Sequence, residues 1–109
     1  MMGLGNIMKQ LAKLQEDLAA VQEELAELRV QGSAGGGVVV ATVSGTGELC
    51  DITIAPEAVD PEDVPMLQGL IVAAVREAQR QAAQTRQEKM SALTAGLPIP
   101  PGLQIPGLM

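Results

Sequence analysis

Leu4–Leu28, LGNIMKQLAKLQEDLAAVQEELAEL, carries its apolar side chains at Leu4, Ile7, Leu11, Leu14, Leu18, Val21, Leu25 and Leu28. The spacing alternates between three and four without a break, so all eight share one narrow stripe of an α-helix, as in a coiled-coil seam. Such a helix runs about 37 Å at 1.5 Å per residue, which is long for a chain of 109 residues. A stripe this narrow needs a second helix against it, from the same chain or from another copy. The seam is expected to be core and to include a dimer contact. Lys9 and Lys13 lie on the opposite face, and Glu16, Asp17, Glu23, Glu24 and Glu27 follow them. The helix therefore begins basic and continues acidic.

Outward from this helix the pattern changes. Gly32-Ser33-Ala34-Gly35-Gly36-Gly37 reads as a turn, since glycine supplies positive φ cheaply. No Lys-Ser or Lys-Thr follows it, and Gly45-Thr46-Gly47 has Cys50 where a third glycine would stand, so neither cluster is a phosphate loop. Val38–Val43 and Glu48–Ile54 are short and rich in β-branched residues, which predicts two strands joined as a hairpin. Arg29-Val30-Gln31 is read as a third strand. In the second hairpin strand Cys50, Ile52 and Ile54 alternate with Asp51 and Thr53, which predicts a buried Cys50. Pro56 closes the sheet. Asp60-Pro61-Glu62-Asp63 then predicts a helix with Asp60 as N-cap and Pro61 in its first position. Val64, Leu67, Ile71, Ala74 and Ala78 form its apolar stripe. Beyond Ala78 the residues are mostly Gln, Ala, Arg and Glu with little to bury, so this half is expected to project beyond the core, alongside the amino-terminal half of the first helix. The fold class is α+β: a long helix, a small antiparallel sheet of about three strands, and a second long helix. Residues 1–95 read as a single domain. Residues 96–109, with Pro98, Pro100, Pro101 and Pro106 among Leu and Ile, read as an extended or disordered tail.

Composition excludes more than it suggests. The chain has no His, Trp, Tyr or Phe and a single Cys. Without His there is no Ser–His or Cys–His nucleophile pair and no Cys–His zinc site, and no carboxylate pair sits in an apolar setting that would raise a pKa. No catalytic residue, cofactor site or metal site is expected, and the chain is not read as an enzyme. Without aromatic rings it cannot serve as a stacking platform for single strands. One cysteine closes no intramolecular disulfide, which fits a reducing cytosol. The longest strictly apolar run, Leu70–Val75, falls far short of the ~20 residues of a membrane span, and no signal peptide is seen at the start.

The net charge is −6, but it is unevenly spread. Residues 1–15 carry +2, residues 16–63 carry −10, and residues 64–109 carry +2. If the two long helices run antiparallel, the basic ends meet at one end of the molecule, where a polyanion could bind. Binding to duplex DNA by an acidic chain would be modest and strongly salt-dependent.

Taken in order, LGNIMKQ (4–10), GSAGGGVV (32–39), DITI (51–54), DPED (60–63), LIVAAV (70–75), EKM (88–90) and PPG (100–102) resemble the YbaB/EbfC family of bacterial nucleoid-associated proteins. The resemblance runs over essentially the whole chain. It implies a cytoplasmic, nucleoid-located homodimer, a component of bacterial chromatin whose helical arms project like tweezers and bind double-stranded DNA, with a role in gene regulation. By position it implies DNA contacts at Lys9 and Lys13 on the first arm and at Arg80, Arg86 and Lys89 on the second, with Arg76 behind them. Such contacts would reach phosphates and read sequence poorly. The second reading is a protein-interaction module whose partner docks on the arms or on the apolar tail.

Overall fold

A computed structural model describes residues 2–94. The chain runs α1 (Met2–Glu27), β1 (Arg29–Ala34), β2 (Val39–Ser44), β3 (Leu49–Ile54), a short 3₁₀ turn (Pro56–Ala58) and α2 (Val64–Thr94). The strands form an antiparallel meander in the order β1-β2-β3. The tail expected over residues 96–109 lies outside the described residues.

The glycine-rich stretch divides into two uses. Gly32, Ser33 and Ala34 continue β1 opposite Ala41, Val40 and Val39, so the third strand is longer than its predicted Arg29–Gln31 core. The turn itself is left to Gly35, Gly36 and Gly37, with φ of 65°, 73° and 95°, a region that side chains resist. Gly32 does something else. A Cβ there would stand 2.3 Å from the Ala78 nitrogen and 2.7 Å from the Ala74 carbonyl oxygen. Together with the fully buried Ala74, Ala78 and Ala82, this bare position lets α2 lie directly against the sheet. Val39, Ala41 and Val43 complete the buried core, with Val30, Ala34, Leu67, Leu70 and Ile71 packed around it. The helix covers β1 and β2 and has little contact with β3, which leaves Ile52 and Ile54 only half-buried.

Four expectations change. Cys50 is exposed rather than buried. The ladder slips between Thr42 and Val43, so that Val43 faces Leu49. That bulge takes Cys50 out of the alternation that places Ile52 and Ile54. The second helix begins at Val64, not Pro61. Asp60 instead closes a turn, its carboxylate accepting from the Glu62 N–H at 2.9 Å and its carbonyl from the Asp63 N–H at 2.9 Å. Asp63 takes over the capping role, accepting from the Met66 N–H at 3.2 Å. Pro65 explains the delay. In a helix started at Pro61 it would crowd the Pro61 carbonyl and deny it a donor, whereas near the start of a helix its missing N–H leaves nothing unpaired.

The third change concerns the heptad seam. Leu25 is fully buried and Leu14, Leu18, Val21 and Leu28 are half-buried, but Leu4, Ile7 and Leu11 are 64%, 52% and 52% exposed. Within one chain only the second half of the seam is core. The fourth concerns helix overlap. Glu24 of α1 meets Lys89 of α2, so the end of α2 lies beside the second half of α1, not its amino-terminal half. From that pair the helices depart in opposite directions. At 1.5 Å per residue, the spans back to Met2 and Val64 add to about 70 Å, close to the molecule's 74 Å long axis. The helices are antiparallel and overlap only at their ends.

Candidate nucleic-acid interface

The β2–β3 turn links the end of α1 to α2. Its Gly45 N–H donates to the Leu25 carbonyl at 2.8 Å and to the Leu28 carbonyl at 3.1 Å, which satisfies the last turn of α1. From the other side, the Arg86 guanidinium donates to the Gly45 carbonyl at 3.1 Å and the Gln79 amide donates to the Gly47 carbonyl at 3.1 Å. The Ser44 hydroxyl, buried beneath the turn, sits 2.6 Å from the Thr46 hydroxyl and accepts from the Glu48 N–H at 3.2 Å. Just beyond, the Lys89 ammonium donates to Glu24 at 2.6 Å. Arg86 and Lys89 are therefore half-buried and engaged in fastening α1 to α2. The signal for this was present in the sequence. Arg86 and Lys89 stand four and seven residues after Ala82 and so continue the stripe of the buried alanines.

The other four candidates face outward. Arg76 and Arg80 lie on the side of α2 opposite Ala74, Ala78 and Ala82, and both are exposed. Lys9 and Lys13 lie opposite the seam of α1 and are exposed as well. Arg80 is paired with Glu77, whose other carboxylate oxygen accepts from the Gln81 amide at 3.0 Å. These contacts, the Gln81 hydrogen bond foremost and the Arg80 charge after it, hold the Glu77 carboxyl below its ordinary value. Among the described residues Lys9, Lys13 and Arg76 form no ion pair. The remaining base, Arg29, donates to the Ala26 carbonyl at 3.0 Å and the Leu28 carbonyl at 3.1 Å, closing the carboxyl end of α1.

The bases thus do not gather at one end, as the charge blocks alone suggested. The small overlap of the helices draws them out along the long axis. From the Glu24–Lys89 pair, the Lys9–Lys13 pair lies about 20 Å toward the tip of α1, and the Arg76–Arg80 pair about 16 Å the other way, at 1.5 Å per residue. Their separation of about 36 Å along the axis is one turn of B-form duplex. On the outer face of α1, Glu16, Glu23 and Glu27 continue the line of Lys9 and Lys13, so that face is basic only toward its tip.

Residues 1–97 match the model of the YbaB/EbfC DNA-binding family. The chain belongs to that family. Among its relatives, a nucleoid-associated protein of Saccharopolyspora erythraea is 51% identical over 91 residues, covering 84% of this chain and 78% of the relative. A nucleoid-associated protein of Alkaliphilus metalliredigens is 48% identical over 97 residues, covering 89% and 85%. The fold is also that of a solved structure, an uncharacterized protein HP0035 from Helicobacter pylori, with a TM-score of 0.70 at 20% identity over 81% of this chain and 92% of that one. This YbaB/EbfC member carries six of its seven basic residues on α1 and α2, and no helix among its described residues is long and apolar enough to cross a membrane.

Proposed function

We propose that this YbaB/EbfC chain is a nucleoid-associated protein of the cytoplasm that binds double-stranded DNA as a homodimer, by phosphate contacts and with low sequence specificity. The family match over residues 1–97 carries the reading. The geometry supports it through four exposed bases, Lys9, Lys13, Arg76 and Arg80, on outward helix faces, taken here as one track along the molecule. Arg86 and Lys89 act indirectly, by holding the helices in register. Low specificity follows from the side chains. Two of the glutamines that could have read base edges are in use, Gln79 on the β2–β3 turn and Gln81 on Glu77, and phosphate contacts position a protein without reading sequence. Glu16 stands one turn from Lys13 and two from Lys9, so it offsets more of the attraction of Lys13. Lys9 is the stronger anchor.

Fluorescence anisotropy of a labelled duplex, titrated at several salt concentrations, tests the reading. Saturable binding with equal affinity for two unrelated sequences is expected, and log affinity should fall linearly with log salt by about 0.9 per phosphate neutralised. No binding at low salt would remove the DNA reading. It would favour the protein-partner reading, which the exposed Leu4, Ile7 and Leu11 support.

A further inference from the structure

The two outer edges of the sheet differ. β1 and β3 are the outer strands, and among the described residues each has a strand on one side only, which leaves outward backbone N–H and C=O groups open to pairing. On the β3 side the ladder slips at Thr42 and Val43, and the charged, exposed Asp51 stands in mid-strand. Both features discourage a further strand. β1 has neither. Its register against β2 runs unbroken from Arg29 to Ala34, and Val30-Gln31-Gly32-Ser33-Ala34 carries no charge and no proline. Beside this regular edge α2 forms a wall. Gly32 lets the helix down onto β1, so that Gln31, Gly32 and Ser33 of the strand and Ala73, Glu77 and Gln81 on the flank of the helix line one open cleft of about 610 Å³. Glu77 is the one charged residue of its lining. We propose that this cleft takes an extended protein segment as a fourth strand on β1, with a Lys or Arg of that segment reaching the Glu77 carboxylate.

An added strand gains its affinity from main-chain hydrogen bonds and its selectivity from alternate side chains. One set of those side chains faces α2, where the small Ala73 stands one turn before Glu77 and leaves room for a long cation to lie along the helix. Glu77 already meets Arg80 and Gln81. Arg80, however, is 74% exposed, so its hold on the carboxylate is weak and a second cation can share it. The charge also decides the occupant. Duplex phosphates are repelled by Glu77. A second copy that paired β1 with β1 about Gly32 would bring two Glu77 carboxylates together, because Gly32 lies under Ala74 and Ala78, and like charges oppose such an interface. A basic segment gains where both of these lose. The inference does not rest on the DNA reading.

Amide chemical shifts of the isotope-labelled full chain test it, titrated with peptides Thr-Val-Thr-Xaa-Thr-Val-Thr that carry Lys, Arg or Glu at the centre. The Lys and Arg peptides should shift the amides of residues 29–34 and of Ala73, Glu77 and Gln81, leave those of residues 49–54 in place, and bind about fivefold or more tighter than the Glu peptide. Glu77→Gln should bring the three peptides within about twofold of one another. Ala73→Arg, at an exposed helix position, should abolish binding by filling the slot with a cation of the chain's own. No shift with any peptide, shifts at residues 49–54 instead, or a preference for Lys that survives Glu77→Gln would overturn the proposal. Shifts of residues 29–34 on dilution without peptide would overturn it in favour of a second copy on that edge.

Discussion

The two halves of α1 are written in one pattern and end in different surroundings. Leu25 and Ile7 lie on the same heptad stripe, yet Leu25 is fully buried and Ile7 is 52% exposed. What separates them is the neighbour. Leu25 sits under Gly45, close enough that a Cβ on that glycine would lie 2.7 Å from the Leu25 carbonyl oxygen, whereas α2 ends before it reaches Ile7. A heptad repeat fixes which face of a helix must be covered, and the length of the partner fixes how much of it is. The charges follow the same division, with free lysines on the uncovered half and glutamates on the covered one.

The sharpest way to break this contrast lies beneath the helix that does the covering. Gly32→Val would drive a side chain into the backbone of α2 at Ala74 and Ala78. It should cost about 3 kcal/mol or more, read as loss of cooperative unfolding in a circular-dichroism melt. Next, Leu25→Ala should cost about 2–5 kcal/mol in denaturant unfolding, while the matching Ile7→Ala should cost about 1 kcal/mol or less. Equal losses at the two sites would erase the distinction between the halves. A smaller effect is expected at the clamp: Arg86→Gln removes a charged donor from the Gly45 carbonyl and should cost about 1–3 kcal/mol, against at most about 1 kcal/mol for Lys89→Gln in its exposed pair.

The smallest effect concerns Glu77. Its lowered folded-state value means that it adds stability above its ordinary carboxylate range and loses that contribution as pH falls through the lowered value. Between pH 6 and pH 3 the melting temperature of the native chain should therefore fall slightly more than that of Glu77→Gln.

Much of the fold was legible because periodicity reports buried faces directly. The seam of α1, the hairpin and the stripe through Ala74 and Ala78 all follow from spacing. Cys50 was not legible, since one slipped pairing opposite Val43 reverses its face without leaving a mark in the alternation. Nor was the start of α2, where Pro65 overrides the attractive Asp60-Pro61 signal. At the interface, the sequence indicates which residues are basic but not what they already hold. Arg86 and Lys89 became structural through the Gly45 carbonyl and Glu24, which are 41 and 65 residues away in the chain. Their distance of four and seven residues from Ala82 was the available clue. Arg76, ranked last by position, is among the outward bases.

The division of the bases into outward and fastening sets predicts how the salt dependence of duplex binding responds to each. Anisotropy titrations of the native chain, Lys9→Gln and Lys89→Gln, each confirmed folded, give three slopes of log affinity against log salt. Lys9→Gln should lower the slope by about 0.9 per protomer in contact with DNA, while Lys89→Gln should leave it unchanged. A slope lowered by Lys89→Gln and unmoved by Lys9→Gln would contradict that division.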